Sequence, residues 1–238
     1  MQRDPRELLH WAHTEFQDRF AITTSFQDEG MVLIDLASQI DPGIRVLTLD
    51  TGRLPEETHR MIETVRERYA MKVDVVSPGS AELERMVTRH GPNLFHRDPS
   101  LRKLCCHIRK TLPLERALGD CKAWAVGLRR GQSEERAAIE QVEHKDGRVK
   151  LSPLAHWSEQ QVAGYLRERG VPRHPLYAQG YASIGCAPCT RALRDGESGR
   201  DGRWWWEGEA AKECGIHLTP EGAMRRALDV LLEDILVR

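Results

Sequence analysis

Residues 20–77 alternate between short runs of β-forming residues and helical segments, and this restricts the fold more than any other feature of the chain. Residues 20–25, the run RVLTLD at 45–50 and the run KVDVVS at 72–77 read as strands. Between them, residues 31–38 are apolar enough for a buried helix. Pro55 opens a second helix, which continues to about residue 70 and places Met61, Ile62, Val65 and Tyr69 at helical spacing. A β-α-β-α-β order needs crossover connections, which are right-handed and build a parallel sheet covered on both faces. The expected fold is therefore α/β, a doubly wound and mainly parallel sheet whose ligands bind beyond the carboxyl ends of its strands.

The flanking segments extend this pattern. Asp4-Pro5-Arg6-Glu7 supplies an N-cap, a proline at the first helical position and an early glutamate, so a helix is expected over 5–18. Residues 101–118 read as helical despite Pro113, and AWAVGL at 123–128 as a further buried strand. Ser158-Glu159-Gln160-Gln161 is a capping box that opens a helix to about residue 168. Residues 194–203 hold three glycines and charges of both signs, and a mobile loop is expected there. Met224, Leu228, Leu231, Leu232 and Ile235 then form one apolar stripe of a terminal helix over 220–238, suited to a core contact or to a homo-oligomer interface.

The 238 residues carry 35 Lys and Arg against 36 Asp and Glu, a formal charge of -1, which argues against nucleic-acid binding through a bulk positive field. No apolar run approaches the roughly 18 to 20 residues of a membrane span, and the start MQRDPRELLH has no apolar signal core. A cytoplasmic chain with neither membrane nor nucleic acid as partner is expected. In that compartment the six cysteines stay reduced, so their spacing reads as metal binding or catalysis.

Cys105 and Cys106 are adjacent, and Cys186-Ala187-Pro188-Cys189 follows eighty residues later. Neighbouring residues on a helix point about 100° apart, which makes it awkward to close both sulfurs onto one small ion; a cubane cluster offers them separate irons. An iron–sulfur cluster, zinc and a redox dithiol all remain open on this pattern. His107, Arg109 and Lys110 suit the surroundings of an anionic cluster. Cys121 has no partner at useful spacing and reads as a small buried hydrophobe. Cys214, between Lys212-Glu213 and Gly215-Ile216-His217, has a setting for a reactive thiolate, although a lone cysteine there would by itself signify nothing.

Anion-binding residues cluster elsewhere. The run from Thr23 through Ser25 and Phe26 to Gly30 leads into a helix N-terminus, where backbone N–H groups suit an anion, and a capped helix start explains it equally. Asp50-Thr51-Gly52 closes the second strand, either as a ribose or purine contact or as a plain turn. Arg129 and Arg130 lie just past a strand end, where planar forks can grip phosphate or sulfate; with Lys110, Arg200 and Arg203 they make a coherent anion pocket. Each arginine alone would be an ordinary surface residue, and the basic run over 97–110 alone an ordinary solvated face. Trp204-Trp205-Trp206, if extended, puts the first and third on one face for packing or for stacking on a base.

Together these residues resemble the assimilatory phosphosulfate reductases, and within them the cluster-containing adenylyl-sulfate reductases. The resemblance covers most of the chain. It runs from Ser25-Phe26 through Leu49-Asp50-Thr51-Gly52, Cys105-Cys106 with Arg109-Lys110, Gly127-Leu128-Arg129-Arg130 and Cys186-Ala187-Pro188-Cys189 to Gly202-Arg203-Trp204-Trp205-Trp206-Glu207 and Glu213-Cys214-Gly215-Ile216-His217. The paired CC and CxxC motifs look like the feature that separates reductases of adenosine 5'-phosphosulfate from relatives that use the 3'-phosphorylated substrate without a cluster. The resemblance implies an adenine-nucleotide α-hydrolase-like fold and a 4Fe-4S cluster on Cys105, Cys106, Cys186 and Cys189. It also implies substrate contacts from Ser25, Asp50, Thr51, Gly52, Lys110, Arg129, Arg130, Arg200 and Arg203. Cys214 would be the nucleophile that carries an S-sulfo intermediate, with thioredoxin or a glutaredoxin-like reductant as partner. Sulfite and AMP would be the products, within sulfate assimilation for cysteine biosynthesis. The expected division is a nucleotide- and cluster-binding α/β domain over 1–193 and a loop, cysteine-bearing tail and helix over 194–238.

Two departures stand out: Gln27-Asp28-Glu29-Gly30 replaces the commoner Gly-Ala-Glu-Asp, and the terminal helix is long for this family. Two other classes compete. An ATP-dependent RNA-thiolating pyrophosphatase shares such a sheet, but the chain lacks its glycine-rich loop and a basic surface. A zinc-stapled nucleotide-binding regulator would leave Cys214 incidental.

Overall fold

The computed structural model describes residues 2–145, 147–207 and 222–236. Helix α1 (Pro5–Phe16) starts as its capping residues dictate, with the Asp4 carboxylate accepting from the backbone N–H of Arg6 and of Glu7. It passes into a 3-10 turn at Gln17–Arg19 and then into β1 (Phe20–Thr24). Helix α2 (Asp28–Ser38) begins three residues before the expected apolar run, because Asp28 and Glu29 suit the positive end of a helix. The chain continues through β2 (Arg45–Leu49), α3 (Glu56–Tyr69), β3 (Val73–Val76) and α4 (Ser80–His90), the last not anticipated.

Next come α5 (Pro99–Cys106), a π-helical turn at His107–Thr111 and α6 (Leu112–Ala117), which together make the helix expected over 101–118. Pro113 lacks the N–H that the Arg109 carbonyl would receive in an α-helix, and the wider turn falls on those residues. Strand β4 (Ala123–Val126) is followed by β5 (Val142–Lys145) and β6 (Arg148–Leu151), a hairpin the sequence reading passed over. Helix α7 (Glu159–Arg169) has the predicted capping box, and α8 (Gly222–Leu236) is the terminal helix.

The six strands form one sheet in the order β3-β2-β1-β4-β6-β5, parallel throughout except for the β5–β6 pair. The mainly parallel, doubly wound reading is therefore correct. Because β1 sits between β2 and β4, the order in which strands are added reverses at it, and the crevice beyond its carboxyl end is where such sheets bind ligands. Gly127, just past β4, lies against the first turn of α2: a Cβ there would come within 2.9 Å of the Gly30 nitrogen. Only glycine lets the two segments touch.

Three apolar clusters pack the described residues, a small one around Ala21, Leu47, Cys121 and Trp124 and two larger ones. Of the larger two, one joins the sheet to α1, α2 and α7 through fully buried Leu8, Leu9, Phe20, Ile22, Leu33 and Val46. Each such side chain contributes about 1.5 to 3 kcal/mol on burial. The other lies among α4, α5 and α8 and mixes Met86, Leu94, Phe95, Leu104 and Trp204 with Cys105, Cys106, Cys186 and Cys189. Leu228 and Ile235 of α8 are buried in it, and Arg89 pairs with Asp234 at 2.6 Å, so the terminal stripe is a core contact. No helix among the described residues is long and apolar enough to cross a membrane.

Candidate active site

All four cysteines of the paired motifs line one pocket. Cys105 and Cys106 come from the end of α5, and Cys186 and Cys189 flank a short 3-10 turn; Arg53, Arg102, Arg109, Lys110, Phe95, Pro188 and Trp204 complete the walls. Pro99 opens α5 and Pro188 lies in the first turn after Cys186, each fixing local backbone without losing a needed donor. The four thiols are buried. Burial pushes the Cys189 thiol up to about 12, with the neighbouring Cys186 adding to the shift and Lys110 opposing it. Burial likewise raises Cys105, against the pull of Arg109.

Among the described residues no set of three or more His, Cys, Asp or Glu side chains is disposed to hold a single metal ion. The pocket offers sulfur donors without a carboxylate, ringed by guanidinium and ammonium groups. That donor chemistry fits an iron–sulfur cluster, whose irons take separate thiolates and whose anionic body the cations would neutralise.

The loop after β2 reaches the pocket directly. Thr51 is buried, with its Oγ1 3.2 Å from Cys186 Sγ, and its carbonyl accepts from Arg109 Nη1 at 2.6 Å. Asp50 accepts from the Gly52 N–H at 2.8 Å and lies 3.4 Å from His59 Nε2, so its carboxylate shapes the turn. On the 183–189 segment, the Ala187 N–H donates to the Arg53 carbonyl. Thr51, Gly52, Arg109, Lys110 and the cysteines are thus brought together.

The other predicted anion ligands spread out. Ser25 is exposed, its Oγ accepting from Gln27 Nε2 at 2.9 Å, and Phe26 beside it is buried at φ +57°. A left-handed, bulky residue is uncommon, and such strain gathers in functional loops. Arg129 is buried and donates from Nε to Glu29 at 2.7 Å, while Arg130 donates to the Ile139 carbonyl and pairs with Glu140. The two guanidiniums diverge: Arg129 faces the first turn of α2, and Arg130 faces the segment before β5. Arg203 is buried against the Trp204 ring, 4.5 Å from its centroid, and Arg200 lies 5.8 Å from the same ring. Cys214 lies outside the described residues.

Trp204 corrects the extended reading of the tryptophans. It sits in a bend at φ +43°, fully buried, with no strand through 204–206. Trp206 packs on His96 and Phe95, and Trp205 is partly exposed beside Arg191, so the role is packing. Sequence reasoning missed the buried pair of Arg102 with Glu207 at 2.6 Å, whose guanidinium also lies on Trp204. It also missed Glu29 and buried Arg136, which donates to Gln132 at 2.5 Å. The spacing of Arg136 from Arg129-Arg130, inside the same polar run, was the available signal.

Comparison with known proteins gives consistent matches. The chain matches the model of the phosphoadenosine phosphosulfate reductase domain over residues 19–192. It is 46% identical over 207 residues to the adenosine 5'-phosphosulfate reductase of Burkholderia cepacia, covering 86% of this chain and 83% of that protein. Against the adenosine 5'-phosphosulfate reductase of Allochromatium vinosum the identity is 44% over 213 residues, covering 89% and 83%. A solved phosphoadenylyl-sulfate reductase from Candida auris, in a phosphate complex, superposes with a TM-score of 0.68 at 28% identity, covering 80% of this chain and 91% of that one.

Proposed function

Because the chain belongs to the phosphoadenosine phosphosulfate reductase domain family and is an oxidoreductase acting on a sulfur group, we propose that it reduces adenosine 5'-phosphosulfate to sulfite and AMP. The sheet is that of the adenine-nucleotide α-hydrolase-like proteins. The observation that carries the choice of substrate is the pocket holding Cys105, Cys106, Cys186 and Cys189 beside Arg109 and Lys110, together with relatives named for this reaction.

In this reading the nucleotide's phosphate sits at the carboxyl end of β1, near the first turn of α2, whose N–H groups and dipole favour an anion. Arg109, Lys110 and Arg203 neutralise the sulfate side. Cys214 supplies the nucleophile. Its thiolate attacks the sulfate sulfur, the sulfur–oxygen bond to the phosphate breaks, and AMP leaves with the electron pair. Cys214 then carries an S-sulfo group. A thiolate of thioredoxin or a glutaredoxin-like protein attacks the Cys214 sulfur, and sulfite departs with the pair from the broken sulfur–sulfur bond. The reductant's second thiol frees Cys214 and leaves the reductant as a disulfide. The two electrons of the reduction come from these thiols. Cys105, Cys106, Cys186 and Cys189 would hold a 4Fe-4S cluster, which when bound supplies an anionic body that orients Arg109 and Lys110. The setting is cytoplasmic sulfate assimilation toward cysteine.

The test is covalent. Wild-type protein given adenosine 5'-phosphosulfate without reductant should gain one SO3 group by intact mass, mapped to Cys214 and removed by thioredoxin with release of sulfite. Cys214→Ser should bind AMP normally and lose sulfite production by roughly 10³-fold or more, since a serine hydroxyl is a poor nucleophile at neutral pH. Normal turnover without an adduct, or an adduct on Cys121, would defeat the mechanism.

A further inference from the structure

Gln27 and Asp28, at the start of α2, both reach one distant segment, residues 173–184. Gln27 Oε1 accepts from the Ile184 N–H at 2.9 Å. Asp28 accepts both Arg173 Nη2 and Nε, at 2.6 and 3.1 Å, and its own N–H donates to Tyr177 Oη at 3.4 Å. The Arg173 guanidinium lies over the Tyr177 ring at 5.0 Å, which adds to the same join. Without these two side chains only the backbone contact of Asp28 to Tyr177 would remain.

Gly30 belongs to the same arrangement. A Cβ there would come 2.3 Å from Thr24 Oγ1, and that hydroxyl accepts from the Phe26 N–H at 2.9 Å. Its absence leaves the hydroxyl room to hold Phe26 in its left-handed conformation.

The segment joined to the loop leads straight into the cysteine pocket. The Ile184 carbonyl faces Arg203 Nη1 at 3.5 Å, and Ser183 Oγ accepts from the same nitrogen at 3.3 Å. A Cβ on Gly185 would come 2.4 Å from Arg203 Nη2. Cys186 follows, with its contact to Thr51. Ile184 thus stands between Gln27 on the β1–α2 loop and Arg203 at the pocket wall.

We propose that Gln27 and Asp28 are positioning residues that tie the β1–α2 loop to the segment bearing Cys186 and Cys189, so that an anion seated on the loop stiffens the setting of Cys186 and Arg203. The occupant of the loop rests on the function proposed above; the tie itself does not. Gln27 fixes the segment at Ile184, and Asp28 fixes it upstream through Arg173.

Hydrogen exchange of the full-length protein as purified, followed over peptides covering 183–189 with and without AMP, tests this. Gln27→Ala should speed exchange at Ile184 about tenfold, the change expected when one amide loses its acceptor. Gln27→Glu keeps an Oε acceptor and should restore the wild-type rate. Asp28→Ala and Arg173→Ala should each speed exchange over 173–184, and the double variant should do no more than Arg173→Ala alone, because the ion pair is one shared contact. AMP should slow exchange over 183–189 in the wild type but not in Gln27→Ala, although it still binds that variant. Equal rates in wild type and Gln27→Ala overturn the tie, and AMP binding without protection in the wild type overturns the coupling. Failure of the wild type to release sulfite, with these exchange differences intact, would instead sink the proposed reaction.

Discussion

The core under the sheet and the core beside the cysteines are made of different materials. Under the sheet, Phe20, Ile22, Leu33, Ile34 and Val46 form contacts between hydrocarbon groups, and burial alone stabilises them. Beside the cysteines, the same depth of burial encloses thiols, the Arg102–Glu207 pair and the guanidiniums of Arg109 and Arg203. Charges removed from water are tolerable only while their partners remain, so this second core is sensitive to single deletions in a way the first is not. The first core sets the shape. The second gathers the sulfur donors and cations on which the proposed chemistry depends.

Substitutions can break or sharpen that contrast. The largest effect is expected from Cys105→Ser or Cys186→Ser, which should strip bound iron and nearly all sulfite release; iron analysis and visible absorption check it, and stoichiometric iron in both variants would break the assignment. Arg102→Ala should cost about 3 to 5 kcal/mol in denaturant unfolding, because the Glu207 side chain, 4% exposed, loses its counter-charge. Pairing Arg102→Met with Glu207→Gln should recover much of that loss. Ile22→Val in the sheet core should cost only about 0.5 to 1.5 kcal/mol, with iron content unchanged.

The smallest effect is a pH dependence. His174 is buried, its Nδ1 accepts from the Leu176 N–H, its Nε2 lies 3.0 Å from Thr58 Oγ1, and burial lowers its pKa. The unfolded chain therefore takes up the proton first, so stability is full above the ordinary imidazole value of about 6.5 and declines as pH falls below it. His174→Gln should flatten the slope of Tm between neutral and mildly acidic pH.

The division between the cores also explains what the sequence made legible. Local periodicity carries β1 to β4 and α1 to α3, since each buries a run its own residues define. Helix α4 has only Leu83, Met86 and Val87 as an apolar stripe, and that stripe is completed by α8, far away in the chain. The β5–β6 hairpin was readable, because Asp146-Gly147 between alternating residues is a turn signal, and it was passed over. At the site, the four cysteines were evident from spacing alone. The Arg102–Glu207 pair was not: its members are 105 residues apart, and buried charge has no local pattern. The divergence of Arg129 and Arg130 was equally hidden, because it depends on Glu29 and Glu140 arriving from different elements.

The eighty residues that separate Cys106 from Cys186 also impose an order in time. At a synthesis rate of about 5 to 20 residues per second, the first thiol pair emerges roughly 4 to 16 s before the second. Through that interval Cys105 and Cys106 lack both the walls that Pro188 and Trp204 later supply and the cysteines that complete their set. The vulnerable species is thus the half-made chain, whose vicinal thiols are open to oxidants that the finished pocket excludes. A reducing environment during translation, more than afterwards, keeps the first pair as thiols until the second arrives.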